Sequence, residues 1–130
     1  MPLPEPEWLS IAALLLMHDQ QLDQFGGQGG ILDRNVVESA LARPRNLFAY
    51  RGAEVDLANL AAAYLFGFAA KQGFVDGNKR TGVAAMLVFL HINGKPLHVD
   101  PPELYRIAIG VARGEMKEGE VAEWLRRNPS

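Results

Sequence analysis

Cysteine is absent from the sequence. Disulfides, thiolate zinc sites and cysteine nucleophiles are therefore excluded, and the chain is compatible with a reducing compartment. Long hydrophobic runs are missing too: no apolar stretch approaches the ~20 residues of a membrane span. The opening MPLPEPEWLS is proline-rich and acidic, whereas a signal peptide is basic and then apolar, so the cytoplasm is the expected location. Nor is there an excess of positive charge. A formal net charge of −2 and a pI near 5.9 speak against direct DNA binding and against attraction to a membrane surface. The three histidines, His18, His91 and His98, fall on different expected elements without HExxH or any paired spacing, so no histidine metal site is expected. His18 and His91 are placed at helix ends.

What is present suits one packed domain over residues 1–130, with 48% hydrophobic and 22% charged residues around a single core. The expected fold is all-α, with about six helices around a central buried one. A largely buried helix from Glu7 to about Phe25 ends at Gly26, Gly27, Gly29 and Gly30. Asp33 caps a short helix whose apolar face is Val37, Ala40 and Leu41; Arg43-Pro44 stops it, because a residue before proline disfavours the α region. Pro44 to Val55 has no helical period and reads as a loop or short β-hairpin. Asp56 caps the next helix, in which Leu57, Leu60, Ala61, Tyr64, Leu65 and Phe68 form one stripe reaching about Lys71. The segment from Val83 to Leu90 is apolar almost all round and is expected to be the central helix, buried on every side and ended by Asn93-Gly94. Asp100-Pro101-Pro102-Glu103 announces a helix to about Arg113, with the cap, the proline and a glutamate three residues on. A last helix spans roughly Lys117 to Arg127 and buries Val121, Trp124 and Leu125. Trp8 and Trp124 are read as core residues on apolar helix faces.

The segment from Gly73 to Gly82, GFVDGNKRTG, joins two of these helices and opens the second. A helix N-terminus offers unpaired N–H groups and the positive end of a dipole, a combination that binds phosphate. Gly77 permits a positive φ or close approach of a ligand, while Lys79 and Arg80 supply a point charge and a bidentate fork for phosphate oxygens. Asp76 would repel an anion unless a cation bridged them, and magnesium commonly binds through one or two carboxylates plus substrate phosphates. The residues thus suggest a Mg2+–nucleotide site. They are equally compatible with Asp76 and Asn78 simply capping the helix. A Walker A loop is excluded, since the GxxxxGK[ST] spacing is absent and a helix precedes the loop.

FVDGNKRT resembles the motif H-x-F-x-[DE]-[GA]-N-[GK]-R of the Fic/Doc family. The FGG after the first helix, ESALARP at Glu38 to Pro44, FLHINGK at Phe89 to Lys95 and the closing EVAEWLRR extend that resemblance over nearly the whole chain. It implies a Fido fold that transfers part of a nucleotide, such as ATP, to a protein hydroxyl. Members with glycine at the position of Lys79 typically transfer AMP. Lysine there is the Doc (death-on-curing) pattern, which implies delivery of the γ-phosphoryl group to a threonine of elongation factor Tu and a Phd-like antitoxin as partner. The resemblance also assigns Asp76 to the metal, Asn78, Lys79 and Arg80 to phosphate contact, Gly77 to leaving room for phosphate and Phe74 to anchoring the loop.

One position departs from the motif. Gln72 stands where the family has the histidine that takes the proton of the target hydroxyl, and glutamine cannot accept that proton as a base. The expected catalytic set is therefore Gln72, Asp76, Asn78, Lys79 and Arg80, with impaired transfer; the alternative is a catalytically silent nucleotide- or antitoxin-binding protein. Lys71 is a candidate substitute base, but as the next residue of a helix it would point about 100° away from Gln72. By the same resemblance Tyr50 and Arg51 belong to a flap that docks the target; they are equally readable as ordinary loop residues.

Overall fold

In the computed structural model, which describes residues 3–128, the chain forms six α-helices: α1 (Ile11–Phe25), α2 (Arg34–Arg51), α3 (Leu57–Ala69), α4 (Asn78–Ile92), α5 (Pro101–Ala112) and α6 (Glu118–Arg127). None is long and apolar enough to cross a membrane. The expected all-helical class holds. Extended pairing among the described residues is confined to an isolated antiparallel bridge between Ile31 and Phe74.

α3 is the enclosed element, packing against α2, α4, α5 and α6. Its residues Leu60 to Leu65 are all buried, as are Gly67, Phe68 and Ala69. The expectation that the segment from Val83 to Leu90 is buried on every side is corrected here: α4 lies beside α3 and keeps Ala84, Leu87 and Val88 half-buried. An apolar sequence specifies what a helix tolerates, whereas the neighbours that cover it come from the topology. Tyr64, fully buried on α3, uses its hydroxyl oxygen to accept the Leu9 N–H at 3.2 Å. Burial pushes its phenol above the ordinary value, with the Leu9 N–H and Arg45 opposing more weakly.

The first helix begins later than expected, at Ile11, because the Ser10 hydroxyl accepts the Ala13 N–H and fixes the cap there. Trp8 consequently precedes the helix, half-buried between the rings of Phe48 and Phe89. The largest departure is α2, which runs through Pro44 to Arg51 and continues as a 3₁₀ turn, Gly52–Glu54. No loop or hairpin separates Pro44 from Val55. An interior proline removes one helical hydrogen bond and commonly costs ~3 kcal/mol. Tertiary packing outweighs that here: Pro44 is buried, and α2 lies so close to α3 that a Cβ on Gly67 would sit 3.0 Å from the Cβ of Ala40. Tyr50, 91% exposed, and Arg51 form the last turn of this helix instead of a flap.

α3 stops at Ala69, with Ala70 as its C-cap, two residues short of the expected end. The cap expected from Asp100 and Glu103 is also not made by side chains. Glu103 instead accepts from Arg106 and from the indole N–H of the buried Trp124, at 3.1 Å. α6 closes the fold against α3, its Arg126 guanidinium donating to both carboxylate oxygens of Asp56 at 2.8 and 3.1 Å.

Candidate functional site

The loop between α3 and α4 is fixed from two sides. The Gly73 carbonyl accepts the N–H groups of Leu32 and Asp33 at 2.9 and 3.0 Å, and Val75 N–H donates to Gly30 O at 3.1 Å. Gly73 lies against α2 closely enough that a Cβ would come within 2.8 Å of Val37 Cγ2, so a side chain here would push the loop away. Phe74 is fully buried and anchors the segment, as the resemblance implies. Asn78 spans the loop's base: its Oδ1 accepts from Phe74 N–H at 2.9 Å and its Nδ2 donates to Phe74 O at 3.0 Å.

Neither candidate cap closes α4. Gly77 is the N-cap residue, in the left-handed region at φ 82°, and no side chain accepts from the first turn. The first main-chain bond into the helix is Thr81 N–H to Gly77 O, at 2.9 Å. The reading of Asp76 and Asn78 as helix caps is thus overturned. Asn78 is engaged with Phe74, and Asp76 turns outward, its Oδ2 accepting from Gln28 N–H at 2.7 Å. The α4 terminus keeps its N–H groups and its positive dipole end available to an anion.

An open cavity of about 340 Å³ lies over this terminus, lined by Gln72, Asp76, Gly77, Asn78 and Lys79 together with Lys71, Val75 and residues from α3 and α5. Five of the expected site residues therefore share one cleft. Arg80 does not line it: half-buried, it holds its guanidinium 4.7 Å from the centre of the Phe25 ring at the end of α1, a cation–π contact. Gln72, exposed, donates from Nε2 to Val75 O at 3.1 Å. Because α3 ends at Ala69, Lys71 is not on a helix, and it reaches the same cleft as Gln72.

Asp76 has the features a magnesium ligand needs at such a place. It is exposed, and one hydrogen bond to Oδ2 leaves a carboxylate acceptor capacity for a cation. Among the described residues no group of three or more His, Asp or Glu gathers where a metal could be held, so an ion at Asp76 would take further oxygens from a nucleotide, in keeping with magnesium's habits.

Sequence reasoning missed His18. It lies within α1, not at its end, and is 3% exposed. Its ring stacks on Phe74 with centroids 3.7 Å apart and planes 11° apart. Nε2 is 2.8 Å from the Asp76 carbonyl, and since a carbonyl only accepts, that nitrogen carries the proton. The available signal was its spacing of four from Leu14, on the face α1 buries.

An all-helical frame whose α3–α4 loop ends in an uncapped, lysine-bearing helix terminus fits the Fido fold that the motif's resemblance implies. Residues 8–90 match the model of the Fic/DOC family, and the chain belongs to that family. "Protein kinase doc" of Escherichia phage P1 is 35% identical over 119 residues, which cover 92% of this chain and 93% of the relative. "Toxin Doc" of Mycolicibacterium smegmatis is 42% identical over 76 residues, 58% of either chain.

Proposed function

We propose that this protein is a Doc-like toxin of a toxin–antitoxin pair, which transfers a phosphoryl group from ATP to a protein hydroxyl such as a threonine of elongation factor Tu. The observation that carries the reading is the α4 terminus: an N-cap glycine at φ 82° without side-chain closure, in a cleft shared by Asp76, Lys79 and Gln72. The names of the two relatives, a kinase and a toxin, favour phosphoryl over AMP transfer, as does Lys79. In this reading the main-chain N–H groups of the first turn and Lys79 bind phosphate oxygens, and Gly77 keeps the approach free of a side chain. Asp76 would hold Mg2+, which when bound offsets the repulsion between carboxylate and phosphates and neutralises charge on the transferring group. Arg80, resting on Phe25, is the second cation assigned to the phosphates in this reading. A Phd-like antitoxin completes the reading as the partner protein.

Gln72 sets the rate. Loss of a general base slows a reaction typically 10²–10⁴-fold, roughly 3 to 5 kcal/mol. Phosphoryl transfer rests mainly on positioning and electrostatics, so slow turnover remains available to the other groups. The second reading, a nucleotide- or antitoxin-binding protein without catalysis, is favoured by the same residue, because its amide N–H is engaged with Val75 O. ATP labelled at the γ or the α position, incubated with elongation factor Tu and magnesium, separates the two. Transfer of γ label supports the kinase reading. Transfer of α label would reassign Lys79 to AMP transfer, and no transfer by the wild type or by Gln72→His would leave the binding role. Equal ATP binding by the wild type and a Lys79→Ala, Arg80→Ala double variant would mean that the proposed nucleotide site is wrong.

A further inference from the structure

Asp76 is held by two hydrogen bonds and has a third close neighbour, and all three residues lie on α1 or the turn after it. His18 Nε2–H donates to its carbonyl at 2.8 Å. Gln28 N–H donates to its Oδ2 at 2.7 Å. Gly27 gives its Cβ room, since a Cβ built on Gly27 would lie 3.2 Å from that of Asp76. Of these contacts only the first is made by a side chain, and that side chain is nearly enclosed, at 3% exposure. Stacking on Phe74, itself fully buried, fixes the imidazole plane so that Nε2 faces the residue before Gly77. A ring atom of His18 is also 3.5 Å from the Cβ position of Gly77, so the histidine underlies the turn from Asp76 into α4.

We propose that His18 is a positioning residue for the metal–nucleotide site: its Nε2–H fixes the Asp76 main chain and thereby aims the carboxylate. The inference rests on Asp76 being the magnesium ligand of the proposed function. It differs from a purely structural role in what it moves. A core histidine that only fills space affects folding stability and leaves the metal dependence of nucleotide binding alone. A positioning histidine acts on the Mg2+-dependent part of binding, because a carboxylate misplaced by even an ångström no longer shares an ion with bound phosphates.

The two contacts of His18 can be removed separately. His18→Phe keeps an aromatic ring on Phe74 and deletes the donor; His18→Gln deletes the ring and keeps an amide N–H that reaches the place of Nε2. Calorimetric titration of ATP with and without Mg2+, on the wild type, both variants and Asp76→Asn, gives the readout without reference to turnover. The expected result is about a tenfold weaker Mg2+–ATP affinity for His18→Phe, the scale of one hydrogen bond, with ATP affinity in the absence of metal unchanged, and recovery of most of the loss in His18→Gln. If Asp76→Asn loses the magnesium enhancement but His18→Phe keeps it, His18 is a packing residue only and the proposal falls while the metal assignment stands. If Asp76→Asn also keeps the enhancement, the metal assignment fails and the proposal fails with it. Thermal melts of each variant establish folding. Should His18→Phe not fold, His18→Asn, too short to span the contact, replaces it in the same comparison.

Discussion

At the start of α3, Asp56 accepts from Asn59 N–H at 2.9 Å while the Asn59 side chain accepts from Asp56 N–H at 3.1 Å; at the start of α4, Asp76 and Asn78 lie just as near a helix terminus and bond elsewhere. Both ends carry an aspartate and an asparagine, and residue type alone does not separate them. Spacing does. A separation of three lets the two side chains exchange bonds across the first turn, and Arg126 then covers the outer face of Asp56. At α4 a left-handed glycine stands between the two residues, turning Asp76 out to Gln28 and Asn78 back to Phe74. One end spends its polar groups on itself and holds the fold together. The other leaves its N–H groups without a side-chain cap.

Three substitutions test whether this division of labour is real, and the first bears only on the open end. On the proposed reading, Gln72→His places a base in the cleft and is expected to raise phosphoryl transfer by on the order of 10²-fold or more, with ATP affinity little changed, since a base acts in the transition state. Single-turnover transfer and calorimetry measure the two effects. An increase in affinity without an increase in rate would make residue 72 a binding position.

Gly77→Ala comes next. The nearest neighbours of a Cβ there, at 3.4 and 3.5 Å, are in ordinary contact, so the penalty is conformational: about 1–2 kcal/mol for holding a non-glycine residue left-handed. Both thermal stability and Mg2+–ATP affinity should fall. Unchanged ATP binding would mean that the Gly77 turn does not shape the site. Asp56→Ala should cost about 1 kcal/mol of stability, the usual loss for a cap, and leave ATP binding untouched; a nucleotide effect there would erase the contrast between the two ends.

How much of this was legible in the sequence follows the same division between local and distant causes. Asp33 and Asp56 as caps and the Asn93-Gly94 ending are decided within one or two turns, and they stand as read; the single stripe read for α3 understates it, since Ala62, Ala63, Gly67 and Ala69 are buried as well. Clustering of Gln72, Asp76, Gly77, Asn78 and Lys79 was also readable, because seven or eight consecutive residues at a helix start have little choice of place. Pro44 was misread, since the rule for proline is local and the packing of Ala40 on Gly67 is not. His18 escaped for the same reason: its hydrogen bond spans 58 residues. Arg80 shows the limit of a motif, which names a side chain's chemistry but not the Phe25 ring it rests on.

The smallest expected effect concerns the charge at the closed end. Burial works to raise the Asp56 carboxyl, but the hydrogen bond from Arg126, the Asn59 N–H and the Arg126 charge together hold it below its ordinary 3.8. A carboxyl lowered in the native state binds fewer protons there than in the unfolded chain. Its contribution to stability is therefore complete above the unfolded value and is lost as pH falls through the native one. With half of the Asp56 side chain exposed, solvent screens the pair and the effect is modest. Asp56→Asn keeps a good capping residue while removing the charge, so thermal melts of wild type and variant from about pH 6 to about pH 2 isolate the ion pair. The stability gap should be constant down to about pH 4 and close below it. A gap that persists at the acid end would assign the closure of α3 to neutral capping, and Arg126 would then hold α6 against α3 through contacts other than its charge.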